Sequence, residues 1–381
     1  MHSIDKRIAV ALHSAQSRAS LGASQSMPNL GLPQRGRVRK MECGFVMTNT
    51  FSIGKRELAV VASSAAAFGS LSIPSETIDG QFGMAAGKLR DRAGIRSVSR
   101  VAPDETEVSL GTRAALAACA AGGIEADSCD WLFAASETHH TIPSLAAELH
   151  AHLHLPESCG AMDIGGACLG LLNALATAQA FVAAGQARRI LIVTADVHSR
   201  TLTPERVRGE FGGLFGDGSS AFVVQSASNG SSPSAFVLGE FFFGCAAQFA
   251  TAIEIKDSAN GALNVVFEGE ALSRAAIAKM TQVISEVERR SGISRQDAIG
   301  FATHQPNPRL VALLAKQAGV SSESFPPVAE VRGNLGSSTC GAALHPLLLS
   351  ARGLHHNTSA PIFLASLGPG LLYGGGWLVA R

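Results

Sequence analysis

Five short runs constrain the fold of this chain more than anything else in it. Trp131–Ala135, Ile190–Ala195, Ser219–Gln225, Ile299–Thr303 and Ile362–Ser366 are almost continuously apolar, without the alternation of a half-solvated strand. Strands of that kind are buried on both faces, so helices must cover both sides of the sheet they form. The stretches between them supply those helices. Apolar spacing predicts helices over Thr106–Ala121, Pro143–Leu153, Leu272–Ser291, Pro308–Ala318 and Gly341–Ala351. Another opens at Cys168 and lasts to Gly185, and Gln81–Ala93 reads as one more, closed by Gly94. Leu58–Ala67, Ala235–Phe243 and Gly376–Ala380 read as further strands, and Ile95–Arg100 as a half-exposed one. A Ser/Asn/Gly/Pro cluster at Ser226–Ser234 divides the pattern, and the same order of elements follows it. The expected organisation is an extension over residues 1–55, a first α/β half over 56–228 and a second over 229–381.

Composition narrows the class. Of the 381 residues, 46% are hydrophobic and 16% charged, which suits a large buried core and excludes a disordered or fibrous chain. A formal charge of +1 provides no global field for nucleic acid or a membrane surface, and no apolar run is long enough to span a bilayer. Seven cysteines, an odd number without CxxC spacing, argue against a metal site or a disulfide framework and for a reducing cytoplasm. Residues before about Lys55 are rich in Ser and Arg and poor in acids. They read as an over-extended start, with Met41 or Met47 the natural first residue; an organelle transit peptide is the alternative.

The chemistry centres on Asp163-Ile164-Gly165-Gly166-Ala167-Cys168-Leu169-Gly170. A strand feeds a small-residue turn, and Cys168 opens the next helix, where N–H groups and the macrodipole favour a thiolate. Three later stretches place polar residues in loops read as following apolar strands. They are Thr303-His304-Gln305-Pro306-Asn307-Pro308-Arg309, Arg332-Gly333-Asn334-Leu335-Gly336 and Ser366-Leu367-Gly368-Pro369-Gly370-Leu371. Phe215-Gly216-Asp217-Gly218 reads as a structural turn into a strand. Singly, a lone Cys is often a small core residue, a strand-end His a satisfied one, and an Asn beside Gly a turn residue. Together they form a candidate site.

In order and content these motifs resemble β-ketoacyl-acyl-carrier-protein synthase III, a thiolase-fold condensing enzyme, from about Leu58 to Arg381. The resemblance implies a five-layered αβαβα fold built from two similar halves, and a homodimer. It implies that Cys168 takes an acyl group from a primer thioester. His304 and Asn334 would then stabilise the enolate left when a malonyl-type extender loses carbon dioxide. Arg92, Arg208 and Arg309 fall where relatives hold the phosphates of coenzyme A or of the carrier protein's phosphopantetheine arm. Ile142 falls where relatives reach across the dimer and limit chain length. No bound cofactor or metal is implied; the substrates are coenzyme A or acyl-carrier-protein thioesters.

Two positions depart from the pattern. Lys88 stands where many relatives have a Trp that stacks on adenine, which leaves room for a carrier-protein-bound donor. Pro369 stands in a loop that is usually all glycine and whose middle N–H completes an oxyanion hole. Proline has no N–H to give, so the Cys168 N–H is the assured donor. Gly-Pro-Gly-Leu instead resembles the chalcone-synthase branch of the superfamily. Glu137, His139 and His140 are also unusual; the two histidines either line the acyl pocket or lie on the surface, and the surface is the expected place. The reading is a condensing enzyme that initiates fatty acid or polyketide-type synthesis. A non-condensing acyltransferase of the same fold is the alternative, and an inactive partner subunit a third.

Overall fold

The computed structural model describes residues 57–229, 235–249, 251–258, 261–267, 269–353 and 360–381. The leader expected over residues 1–55, and part of the expected divide at Ser226–Ser234, lie outside them. The first seven strands are β1 (Ala59–Phe68), β2 (Leu71–Pro74), β3 (Ser97–Arg100), β4 (Trp131–Ala135), β5 (Gly160–Asp163), β6 (Arg189–Val197) and β7 (Asp217–Ser226). The next seven are β8 (Phe236–Leu238), β9 (Phe242–Cys245), β10 (Ile253–Asp257), β11 (Leu263–Phe267), β12 (Gly300–Thr303), β13 (Pro361–Gly368) and β14 (Leu372–Ala380). Ten of them form one sheet, in the order β12-β13-β14-β8-β1-β7-β6-β4-β5, with β9 added on β14. From β1, two antiparallel pairings lead to β6 and a parallel one to β4; from β8, two antiparallel pairings lead to β13 and a parallel one to β12. The two halves thus repeat one pairing scheme, and β1 and β8 join them.

Side-chain alternation on these strands creates the layers. Phe133, Ile192, Phe222, Ile362 and Leu364 all point to one core, where helices Gly170–Ala183 and Thr339–Gly353 supply Leu171, Leu175, Ala343 and Leu344. Their neighbours Leu132, Leu191 and Val223 face outward onto helices Glu107–Gly122 and Leu145–His152. In the second half, Phe301, Phe363 and Ala365 face helices Gly269–Ser291 and Pro308–Ala318. The two halves of the one continuous sheet thus act as two sheet layers, and helix, sheet, helix, sheet, helix gives the five-layered thiolase arrangement.

Local chemistry sets most boundaries. Thr106 and Ser109 form a reciprocal capping box on helix Glu107–Gly122. Asn307 caps Pro308–Ala318, with Pro308 at its first position and left-handed Gly319 at its end. The helix expected over Gln81–Ala93 does not form. Helix Ser75–Gln81 ends where it was to begin, left-handed Gly83 and Gly87 break the path, and one turn of π-helix at Leu89–Ala93 closes on Gly94. The single strand expected over Ala235–Phe243 is instead the separate β8 and β9.

Candidate active site

The turn carrying Cys168 is built by strain and by one side chain. Gly166 has φ 123°, and a Cβ there would fall 2.3 Å from Asn173 Nδ2, which donates to the Gly165 carbonyl at 2.8 Å. Ala167 is left-handed at φ 48°, a conformation an L-residue resists by about 1–2 kcal/mol. The turn is held from outside by Ser366, whose hydroxyl donates to the Cys168 carbonyl at 2.7 Å. Cys168 therefore sits in a short 3-10 turn, Ala167–Leu169, just ahead of helix Gly170–Ala183.

Asn334 occupies the matching place in the second half. A 3-10 turn at Gly336–Ser338 separates it from helix Thr339–Gly353, the other helix of the middle layer. It does not follow an apolar strand, as the sequence suggests; helix Val328–Arg332 precedes it. Its Oδ1 accepts from Gly336 N–H at 3.0 Å and from the Thr339 hydroxyl at 3.2 Å, which leaves the amide NH₂ for the cavity. His304 follows β12 as expected, and its N–H donates to the Ala365 carbonyl at 3.1 Å. Cys168, His304 and Asn334 are each less than a tenth exposed. All three line one cavity of about 730 Å³, otherwise walled mainly by hydrocarbon from residues such as Leu214, Ile253, Leu272, Met280 and Leu310. That size and lining suit a small-molecule site.

The other expected residues divide. Gly368, Pro369 and Gly370 line the cavity, and a Cβ on Gly368 would stand 3.7 Å from the Cys168 backbone nitrogen. Arg92 also lines it, exposed on the Leu89–Ala93 turn. Arg208 and Arg309 are exposed and outside the lining; Arg309 Nη2 donates to the Asp91 carbonyl at 2.6 Å, bracing the turn that carries Arg92. Ile142 is fully exposed and likewise outside it. Lys88 pairs with Glu210 across 3.8 Å. His140 is on the surface as expected, but the His139 ring folds back, its Nε2 3.0 Å from Thr141 Oγ1 and 3.3 Å from the Pro143 carbonyl. The Phe215–Gly218 turn is structural: Asp217 accepts from the N–H groups of Val101 and Ser199 and from the Ser199 hydroxyl.

Sequence reasoning missed a buried acid cluster beneath the sulfur. Glu137, Asp196 and His198 bring their polar atoms within 4.8 Å of one another. These are the residue types of a metal site. Asp196, however, already accepts four hydrogen bonds, from Ser136, Glu137 N–H, Ser337 and Ser338, and its oxygens are committed to holding the turn. Glu137 lies against the thiol, its two oxygens 3.6 and 3.8 Å from Sγ. His198 donates through Nδ1 to the Gly216 carbonyl at 3.0 Å and stacks on Phe215, so that Nε2 faces Glu137 Oε1 at 3.7 Å.

These neighbours overturn the expected thiolate. Burial raises the Cys168 thiol well above its ordinary value, and the charges of Glu137 and Asp196 raise it further. Burial lowers His304 to about 4, so its imidazole is neutral near neutral pH. Burial acts to raise Glu137, but His198, and to a lesser degree His304, hold it below the usual carboxylate value. Burial likewise acts to lower His198, and the surrounding carboxylates outweigh it. The centre therefore holds a neutral thiol, a neutral imidazole, an amide, and a Glu137–His198 pair in which each partner favours the charged form of the other.

A cysteine, an imidazole and an amide at the inner ends of a duplicated five-layered α/β core define a thiolase-fold acyltransferase of the condensing type. Comparison with known proteins agrees. The family profile described as 3-oxoacyl-[acyl-carrier-protein] synthase III matches residues 162–240. A β-ketoacyl-[acyl-carrier-protein] synthase III 2 of Streptomyces avermitilis is 30% identical over 289 residues, 75% of this chain and 88% of the relative. The 3-oxoacyl-(acyl carrier protein) synthase III of Pseudomonas aeruginosa superposes with a TM-score of 0.72 at 25% identity, covering 84% of this chain and 98% of that one. The priming β-ketosynthase of the R1128 polyketide pathway shares the fold, with a TM-score of 0.76 at 23% identity over 86% and 97% of the two chains. The chain belongs to the β-ketoacyl-acyl-carrier-protein synthase III family of condensing enzymes.

Proposed function

We propose that the protein primes chain assembly: Cys168 accepts an acyl group from a thioester donor, and a malonyl thioester then extends it with loss of carbon dioxide. In the first step the Cys168 sulfur bonds to the donor carbonyl carbon and the donor thiolate leaves; the Cys168 N–H, beside Gly368, is the donor for the developing oxyanion. In the second, His304 and the Asn334 amide hold the malonyl thioester oxygen as carbon dioxide departs. The resulting carbanion bonds to the acyl carbon as its bond to Sγ breaks, which releases a β-ketoacyl thioester and leaves Cys168 as a thiolate that takes up a proton from solvent. A neutral imidazole suits that role, because it donates a hydrogen bond without placing a proton on the enolate. The observation that carries the reading is that Cys168, His304 and Asn334, far apart in sequence, line the same apolar cavity.

Arg92 at the cavity wall is the residue best placed for the donor's phosphate, with Arg208 and Arg309 on the surface nearby in a supporting part. The donor reaches the site on coenzyme A or on an acyl carrier protein, and the enzyme needs no bound cofactor. It works as a homodimer in the cytoplasm; the free state of the described cysteines fits a reducing compartment. No helix among the described residues is long and apolar enough to cross a membrane. Malonyl-carrier protein offered with a panel of acyl donors tests the assignment. The expected result is carbon dioxide release with a product longer by a two-carbon unit, abolished in Cys168→Ala. Acyl transfer to an alcohol or amine without carbon dioxide would overturn it.

A further inference from the structure

In the proposed decarboxylation His304 and Asn334 act as hydrogen-bond donors, which leaves the taker of the sulfur's proton unassigned. Yet Cys168 must lose one to become a nucleophile, and its surroundings oppose the free thiolate. The carboxylate against Sγ is that of Glu137, at 3.6 and 3.8 Å.

Its place there is built. The Glu137 N–H donates to Asp196 Oδ1 at 2.7 Å, which fixes the backbone just past β4. The carboxylate then fills the space over Gly336, where a Cβ would fall 1.9 Å from Oε1. Gly336 is left-handed at φ 57°, so glycine is required there on both counts. His198 closes the far side, locked by Gly216 and Phe215 and facing Glu137 with Nε2. The titratable groups around Glu137 are thus Cys168 after β5, Asp196 and His198 at the end of β6, and His304 after β12.

We propose that Glu137 is a catalytic residue of the acyl-transfer half-reaction, the base that takes the Cys168 proton and the acid that returns it. As Sγ bonds to the thioester carbon, the proton moves to a Glu137 oxygen. As the carbon–sulfur bond to the donor breaks, the same proton passes to the departing thiolate, which leaves as a thiol. Nothing is oxidised or reduced, and Glu137 ends as it began. His198 is a positioning residue: its Nε2, 3.7 Å from Oε1, favours the carboxylate form of Glu137.

This rests on Cys168 being the acylated residue, and the experiment separates the two. Wild type, Cys168→Ala, Glu137→Gln and Glu137→Asp are mixed with acetyl-, butyryl- or octanoyl-coenzyme A, quenched at intervals, and weighed intact. Acylation of the wild type at Cys168, with a rate level across neutral pH, is expected. Glu137→Gln is expected to acylate about 10²–10⁴-fold more slowly at neutral pH. Its rate should climb about tenfold per pH unit, because only ionisation to solvent then supplies the thiolate. Glu137→Asp keeps a carboxylate and is expected to be slower than wild type yet level in pH, which serves if the Gln variant does not fold. A wild type that no donor acylates would sink the priming assignment itself. Acylation of the wild type with an equally fast Glu137→Gln, or with a slow one whose rate stays level in pH, would sink the role of Glu137 alone.

Discussion

Asn334 commits its side-chain oxygen to its own turn, through Gly336 N–H and the Thr339 hydroxyl, and so presents its NH₂ in one orientation. Preorganised donors of this kind are worth about 10²–10³ in rate when they face developing charge. Asn334→Ala is accordingly expected to lower malonyl decarboxylation by about that factor. The effect on Cys168 acylation should be much smaller, as followed by carbon dioxide release and intact mass on the same preparation. Cys168, His304 and Asn334 were legible because each lies within two residues of a glycine or proline in a stretch read as a loop. Asp196 and His198 follow the apolar run Ile190–Ala195 but have no glycine or proline beside them, so that rule passes over both. Glu137 lies just past the run Trp131–Ala135 and stands out in the sequence, but nothing there pairs it with Cys168. It meets Cys168 because β4 and β5 are parallel neighbours with Ala134 opposite Asp163, which brings the segments past each strand to one edge. Register across a sheet is a property of the folded chain.

Elements were read well where their ends carry chemistry. Trp131–Ala135 and Pro308–Ala318 form as expected, the second because Asn307, Pro308 and Gly319 each specify a boundary. The region Gln81–Ala93 was misread because Gly83 and Gly87 adopt left-handed conformations that interrupt a helical pattern. Glu105 shows how one side chain can tie elements together. Its Oε2 accepts from Ser70 N–H, the Ser70 hydroxyl and Ala102 N–H, and its Oε1 pairs with Arg113 at 2.8 Å, joining the β1–β2 turn to the start of helix Glu107–Gly122. Burial alone would raise this carboxyl, but those partners hold it down to about 2. A depressed carboxyl stabilises the fold at pH above its unfolded value, and that stabilisation erodes as pH falls from there toward about 2. Glu105→Gln is therefore expected to cost about 1–3 kcal/mol near neutral pH. Urea unfolding should show the gap to wild type narrowing on acidification; a gap that widens would contradict the assignment.

At the scale of the whole molecule, the two middle-layer helices decide the outcome. Each halts at the site, one behind Cys168 and the other behind Asn334, and between them they carry the core shared by both halves. The surface offers one test of assembly. Ile142 is a large aliphatic side chain left fully exposed just ahead of helix Leu145–His152. If the protein forms the proposed homodimer and that dimer covers Ile142, Ile142→Asp should shift the mass in solution from dimer to monomer without changing the far-ultraviolet circular dichroism. An unchanged dimer would place the interface elsewhere.

The order of apolar runs, caps and glycine turns was enough to specify strands, most helices and a duplicated layered core, because those depend on neighbours along the chain. Family likeness and the loops beside the apolar runs pointed to the sulfur, the imidazole and the amide. Only the tertiary structure decided what surrounds the sulfur. A cysteine that a helix end was expected to favour as thiolate is instead a buried thiol resting on a carboxylate, and burial and nearby negative charge raise it well above its ordinary value.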